Sequence, residues 1–164
     1  MSLTMDSVFN CTLRATWIKD TEAVINATHL LEVAERRAYG TAATQLNLIY
    51  SDLSLTLAGA ATTLDLQALT DVSGAAIDFA KIYRIGIINT TATNGFDLTV
   101  GGAVANPWEP FVSATGDKIV IPDGSDWFWS DVDGATVDAT HSDLKLDPGA
   151  NTLVAKLLII GLSA

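Results

Sequence analysis

Residues 76–89 read AIDFAKIYRIGIIN. At the start, Ile77 and Phe79 stand two apart with Asp78 between them, the alternation of a strand with one buried face. Further on, Ile82, Ile85, Ile87 and Ile88 fall on both faces. The stretch therefore predicts one strand of 13 or 14 residues, apolar on both faces in its second half, where it crosses a core.

The same period of two recurs on either side. In VFNCTLRATW (8–17), Phe9, Cys11, Leu13, Ala15 and Trp17 share a face and Asn10, Thr12, Arg14 and Thr16 take the other. DLSLTLAG (52–59) alternates with Leu53, Leu55 and Leu57 inward. Shorter strands are predicted at GFDLTVGG (95–102), DKIVI (117–121), DWFWS (126–130), ATVDA (135–139), DLKL (143–146) and NTLVAKLLIIGL (151–162). Between them lie turn signals such as Asn106-Pro107, Pro122-Asp123-Gly124, Asp133-Gly134 and Asp147-Pro148-Gly149. Regular short strands with such turns predict an all-β fold, an antiparallel β-sandwich of jelly-roll type. It is expected as a single domain over 1–164, with an N-terminal strand and one ambiguous segment in 1–44 and the main body in 45–164.

That ambiguous segment is HLLEVAERRAYG (29–40). Its helix formers, the Glu32–Arg36 spacing and Gly40 as a C-cap suit a helix over 29–39. Equally, Leu31, Val33 and Ala38 suit a strand.

Composition narrows the function. Net charge is -10, and 15 of the 19 acidic residues are Asp. The nine Lys and Arg are dispersed, so the cationic stripe that a phosphate backbone requires is missing. This argues against nucleic acid and against anionic membranes. The longest apolar run, LVAKLLIIGL, contains Lys156 and is too short for a membrane span. The start MSLTMDSVFN lacks a signal peptide's basic start and apolar core, which implies synthesis in a cytoplasm. A single cysteine, Cys11, excludes an internal disulfide and reads as a small buried hydrophobe.

Eight aspartates between Asp117 and Asp147 surround Trp127-Phe128-Trp129 and invite tests for chemistry. An EF-hand with Gly134 at its sixth position would begin at Trp129 and end at Thr140, failing at both ends. An irregular calcium site on Asp131, Asp133 and a distant carboxylate stays open. The two histidines, His29 and His141, have no close ligand partner for zinc. His141-Ser142-Asp143 holds triad residue types, but neighbours on a strand point to opposite faces. Fifteen aspartates make some carboxylate pair inevitable, so a glycosidase pair carries no specificity. No catalytic, cofactor-binding or metal residue is assigned. Asp123-Gly124 and Asp133-Gly134 read as turns. Trp127 and Trp129 share a face opposite Phe128, and serve as core, as a sugar-stacking surface or as subunit-interface anchors. Trp108 is the third candidate aromatic.

The ordered set of segments resembles small, mostly uncharacterised structural proteins of tailed bacteriophages and prophages. It runs from IYSDLSLTLAG through Asp65-Leu66, Thr70-Asp71 to Gly74, a strand ending at Asn89, LTVGG…NPW, IPDGSDWFWSDVDGATV and SDLKL to LLIIG. The resemblance covers roughly residues 45 to 162, and Trp108 replaces the usual Phe. It implies a non-enzymatic virion protein without cofactors, made in the host cytoplasm: a capsid decoration (cement) protein or part of a head spike or fibre. Expected partners are further copies in a homotrimer and other virion proteins such as the major capsid protein. The alternative is a carbohydrate-binding, receptor-binding module. Four consecutive apolar residues, Leu157 to Ile160, predict cover on both faces of the last strand, with a neighbouring subunit as the simplest cover and the helix-prone segment near Leu30–Ala38 of the same chain as the alternative.

Overall fold

The computed structural model describes residues 7–17, 27–37, 48–70 and 74–164. The chain divides into two compact units, Met1–Leu46 and Asn47–Ala164. Every regular element among the described residues is a strand, and the sheets are antiparallel.

The first unit holds β1 (Ser7–Trp17) and β2 (Ala27–Arg37), paired from Ser7↔Arg37 to Trp17↔Ala27. The segment with helical propensity is thus a strand as far as Arg37. Pairing along all eleven residues of β1 supplies cross-strand hydrogen bonds that local propensity does not register. The register places Phe9, Cys11, Leu13, Ala15 and Trp17 opposite Glu35, Val33, Leu31, His29 and Ala27. Expectations for the burial of Cys11, Leu31, Val33 and Ala38 lie outside the described residues.

The second unit contains two four-stranded sheets. One has the order β10-β7-β12-β3, from Asp126–Thr136, Phe79–Asn89, Thr152–Ser163 and Leu48–Ala58. The other has the order β4-β11-β8-β9, from Thr62–Asp65, Asp143–Asp147, Leu98–Gly101 and Lys118–Ile121. A small pair, β5 (Leu69–Thr70) and β6 (Ala76–Ile77), lies in the connection between β4 and β7. Among the eight main strands the first pairs with the last, the second with the seventh, the third with the sixth and the fourth with the fifth. Such pairing is a long two-stranded ribbon bent back on itself, and it puts both chain halves into each sheet.

One core lies between the sheets. Phe79, Ile85, Ile87, Leu153, Leu157 and Ile159 enter it from the first sheet, and Leu98, Val100, Ile121, Leu144 and Leu146 from the second. All are essentially inaccessible. This is a β-sandwich built by the alternation read from the sequence.

Three local expectations change, and one strand was not foreseen. The long strand at 76–89 breaks at Asp78, because Ile77 pairs with Leu69 while Phe79 joins the large sheet. Leu53 is not inward but 66% exposed. The register of β3 against β12 shifts between Leu55 and Asp52, so a bulge takes Leu53 out of the core row. ATVDA is not a separate strand: Ala135 and Thr136 continue β10 beyond a second bulge. Strand β4, with Leu64 its single large apolar residue, lacked a period to read.

Candidate functional site

Three features of the second unit bear on function: a chain of aromatic rings, an open cavity and a half-apolar outer sheet face.

Trp127 and Trp129 project from β10 toward the core side and are half-buried. Trp108 is buried at 1% exposure, and its Nε1 donates to the Thr136 carbonyl at 3.1 Å. Edge-on contacts link Trp129 to Trp108 (5.6 Å between centroids), Trp108 to Phe111 (5.9 Å) and Phe111 to Trp127 (5.0 Å). Trp108 therefore offers no free ring face. The three candidate tryptophans are brought together, with Phe111, which the sequence did not single out, placed between two of them.

A cavity of about 600 Å3 opens beside Trp108. One wall is the loop from Pro107 to Thr115, the other is built by Asp131, Ala135, Thr136, Asp138 and His141. The loop is held from both ends. The Asn106 carbonyl accepts from the backbone N–H groups of Ser142 (2.9 Å) and Asp143 (2.8 Å), and Trp108 N–H donates to the Asp143 carbonyl (3.0 Å). Glu109 then ties the loop to its neighbours: Oε1 accepts from the N–H groups of Gly102 and Ala103, and Oε2 from that of Gly116 at 2.8 Å.

On the opposite wall Asp138 Oδ1 accepts from Thr140 Oγ1 at 2.7 Å and from the Thr140 N–H at 2.8 Å. His141 Nδ1 lies 2.9 Å from Thr140 Oγ1 and 3.2 Å from Asp138 Oδ1. Since the threonine hydroxyl is spent on Asp138, this network assigns the imidazole proton to Nδ1. The hydrogen bonds from Thr140 hold the Asp138 carboxyl down at about 2, with a smaller contribution from His141. Asp131 Oδ1 accepts from the N–H groups of Asp133 (2.8 Å) and Gly134 (3.2 Å). Ser142 is buried at 5% and reaches only Asp143, at 3.4 Å, so it does not join His141 in a nucleophile–base pair. No group of three or more His, Cys, Asp or Glu side chains converges on a metal position among the described residues. Nor is any helix among them long and apolar enough to cross a membrane, a statement that does not reach β-barrels.

The outer face of the β10-β7-β12-β3 sheet is the third feature. Phe128, Gly86, Leu158 and Ser51 form one row across all four strands. Phe128 is 45% exposed and Leu158 38%. A Cβ on Gly86 would come 2.7 Å from Phe128 Cε1, so the ring lies over the glycine. Ile88 and Lys156 are neighbours in the row on one side, with Asp126 at its end. Arg84 and Ile160 are neighbours on the other side, and both are buried.

Comparison with family models, with curated proteins and with solved structures gave no match.

Proposed function

We propose that this chain is a non-enzymatic structural protein of a bacteriophage particle. It is a jelly-roll subunit that works by contact with copies of itself and with other virion proteins such as the major capsid protein. The phage setting rests on the resemblance of residues 45 to 162, and with it the role as capsid decoration, head spike or fibre. The jelly roll is supported by the pairing of first with last, second with seventh, third with sixth and fourth with fifth strands, a ribbon rolled into two sheets.

The single observation that carries the assembly is the row Phe128–Gly86–Leu158. A two-layer sandwich turns its second face to solvent, and that face is normally polar. Here its centre is an aromatic ring and a leucine, each more than a third exposed, bordered by Asp126 and Lys156. An apolar centre with a charged border is the composition of a protein–protein contact. A three-fold arrangement lets each copy present the same patch, giving the homotrimer.

Light scattering on the purified chain tests this. The wild type is expected to run as a trimer, and the double variant Phe128→Ser, Leu158→Thr as a folded monomer. A wild type that stays monomeric throughout the micromolar range refutes assembly through this face. The second reading, a carbohydrate-binding module, is favoured by the cavity rather than by the tryptophans.

A further inference from the structure

We propose that the cavity between the 107–115 loop and the Asp131–His141 wall binds an uncharged, hydroxyl-rich ligand of the glycan class.

Size comes first. A volume of about 600 Å3 falls in the range of small-molecule sites, roughly 300–1,000 Å3. The walls are mixed in the way a sugar ring demands. Pro107, Pro110, Val112 and Ala135 offer flat or small apolar surface for the C–H face of a pyranose. Ser113, Thr115 and Thr136 add hydroxyls, while Asp131 and Asp138 add acceptors. Asp131 Oδ2 and Asp138 Oδ2 have no hydrogen-bond partner among the described residues, so each can accept from a ligand hydroxyl. His141 Nε2 adds a further hydrogen-bonding group. Hydrogen bonds from neutral hydroxyls to carboxylates are charge-assisted and about twice as strong as neutral ones.

Charge then selects among ligands. Asp138 stays ionised well below neutral pH, Glu109 lies on the opposite wall, and the chain carries a net charge of -10. A sialylated, sulfated or phosphorylated ligand would meet these carboxylates with no Lys or Arg in the lining to offset them. A bare metal ion is disfavoured because no three ligating side chains converge.

The site is also firm before any ligand arrives. Glu109 fixes one wall through three backbone N–H groups, and Trp108 forms its base through Thr136. Binding therefore orders little, which lowers the entropic cost of capturing a ligand. The proposal is independent of the assembly face, which lies on the outer side of the first sheet.

A titration followed by amide NMR spectra tests it. The probes are methyl glycosides and disaccharides of glucose, galactose, mannose and N-acetylglucosamine, with sialyllactose, a sulfated disaccharide and spermidine alongside. At least one neutral sugar is expected to shift amides within 107–115 and 131–141 at millimolar concentration, with the anionic probes at least tenfold weaker. Two variants localise the effect: Ser113→Trp, from an exposed loop position, fills the cavity, and Asp138→Asn removes the charge while keeping the turn. Each is expected to weaken binding tenfold or more, with the melting temperature unchanged for Ser113→Trp and lowered, but with the protein still folded, for Asp138→Asn. The inference is overturned if no neutral sugar shifts these amides, if both variants bind as the wild type does, or if sialyllactose or spermidine binds as tightly.

Discussion

Asn89 offers the sharpest test of how the two sheets are joined. It ends β7 in the first sheet and is fully buried. Its Nδ2 donates to the carbonyls of Phe96 (2.8 Å), Pro122 (3.3 Å) and Ile121 (3.4 Å), while Oδ1 accepts from the Thr91 N–H at 3.2 Å. One side chain thus clips β7 to the end of β9 in the second sheet and to the loop after β7. Asn89→Asp keeps the shape and replaces the donor by an oxygen facing three carbonyls. Two amide protons are lost as donors, worth roughly 1 kcal/mol each. A carboxylate buried among carbonyl oxygens has its pKa raised, and a rise of about 2 units adds about 3 kcal/mol at neutral pH. The sum is about 4–5 kcal/mol, a large share of a typical domain's stability.

The pH dependence follows from the sign of that shift. The introduced carboxyl binds its proton more tightly in the folded than in the unfolded chain. The variant's deficit is therefore smallest below the unfolded value near 4, grows as pH rises through the raised folded value, and levels above it. Urea unfolding followed by tryptophan fluorescence at pH 4 and pH 7, for wild type and variant, measures both effects. A deficit under about 1 kcal/mol at pH 7, or one that grows as the pH falls, would refute the reasoning.

The remaining predictions concern β12 and the Asp138 turn. Leu157→Thr, at 1% exposure, is expected to cost about 2–4 kcal/mol in urea unfolding, against less than about 0.5 kcal/mol of intrinsic stability for Leu158→Thr at 38%. Asp138, held down to about 2, contributes stability that is present above its unfolded value and lost as pH falls from about 4 through 2. Thr140→Val, which removes the largest cause of that depression, is expected to move the Asp138 carboxyl upward in an NMR titration.

The fold class was legible because its signals are local. The predicted strands hold Leu98 and Val100, Leu144 and Leu146, and Leu153, Ala155 and Leu157 in alternate positions, and all of these are buried. The apolar run at the chain end was legible too: Leu157 and Ile159 enter the core, and Leu158 faces outward. What escaped depends on pairing between distant segments. Leu53 alternates with Leu55 and Leu57 as well as any core residue, yet the bulge opposite Ala155 and Leu157 turns it out. The cavity escaped for the same reason. Its loop is held at Asn106 and Trp108 by Ser142 and Asp143, more than thirty positions along the chain, and no spacing rule links them. Glu109, one of only four glutamates, carried no motif, although it fixes the loop through three N–H groups.

The Asp133-Gly134 dipeptide shows how one local signal serves two structures. Its chemistry is that of a turn: Gly134 has φ +74°, and Asp131 Oδ1 accepts from both N–H groups that follow. A turn between two strands was the natural expectation. Instead the chain returns to the same partner strand. Ser130 pairs with Arg84 and Ala135 with Ile82, so four residues of β10 stand against Tyr83 alone. The glycine is required for space as well as for φ, since a Cβ at 134 would lie 2.6 Å from Tyr83 Cε1. This extrusion bends the sheet edge and brings Asp131 and Ala135 into the cavity wall, facing the loop at Trp108. The feature that disguised one strand as two is therefore the one that shapes the candidate ligand site.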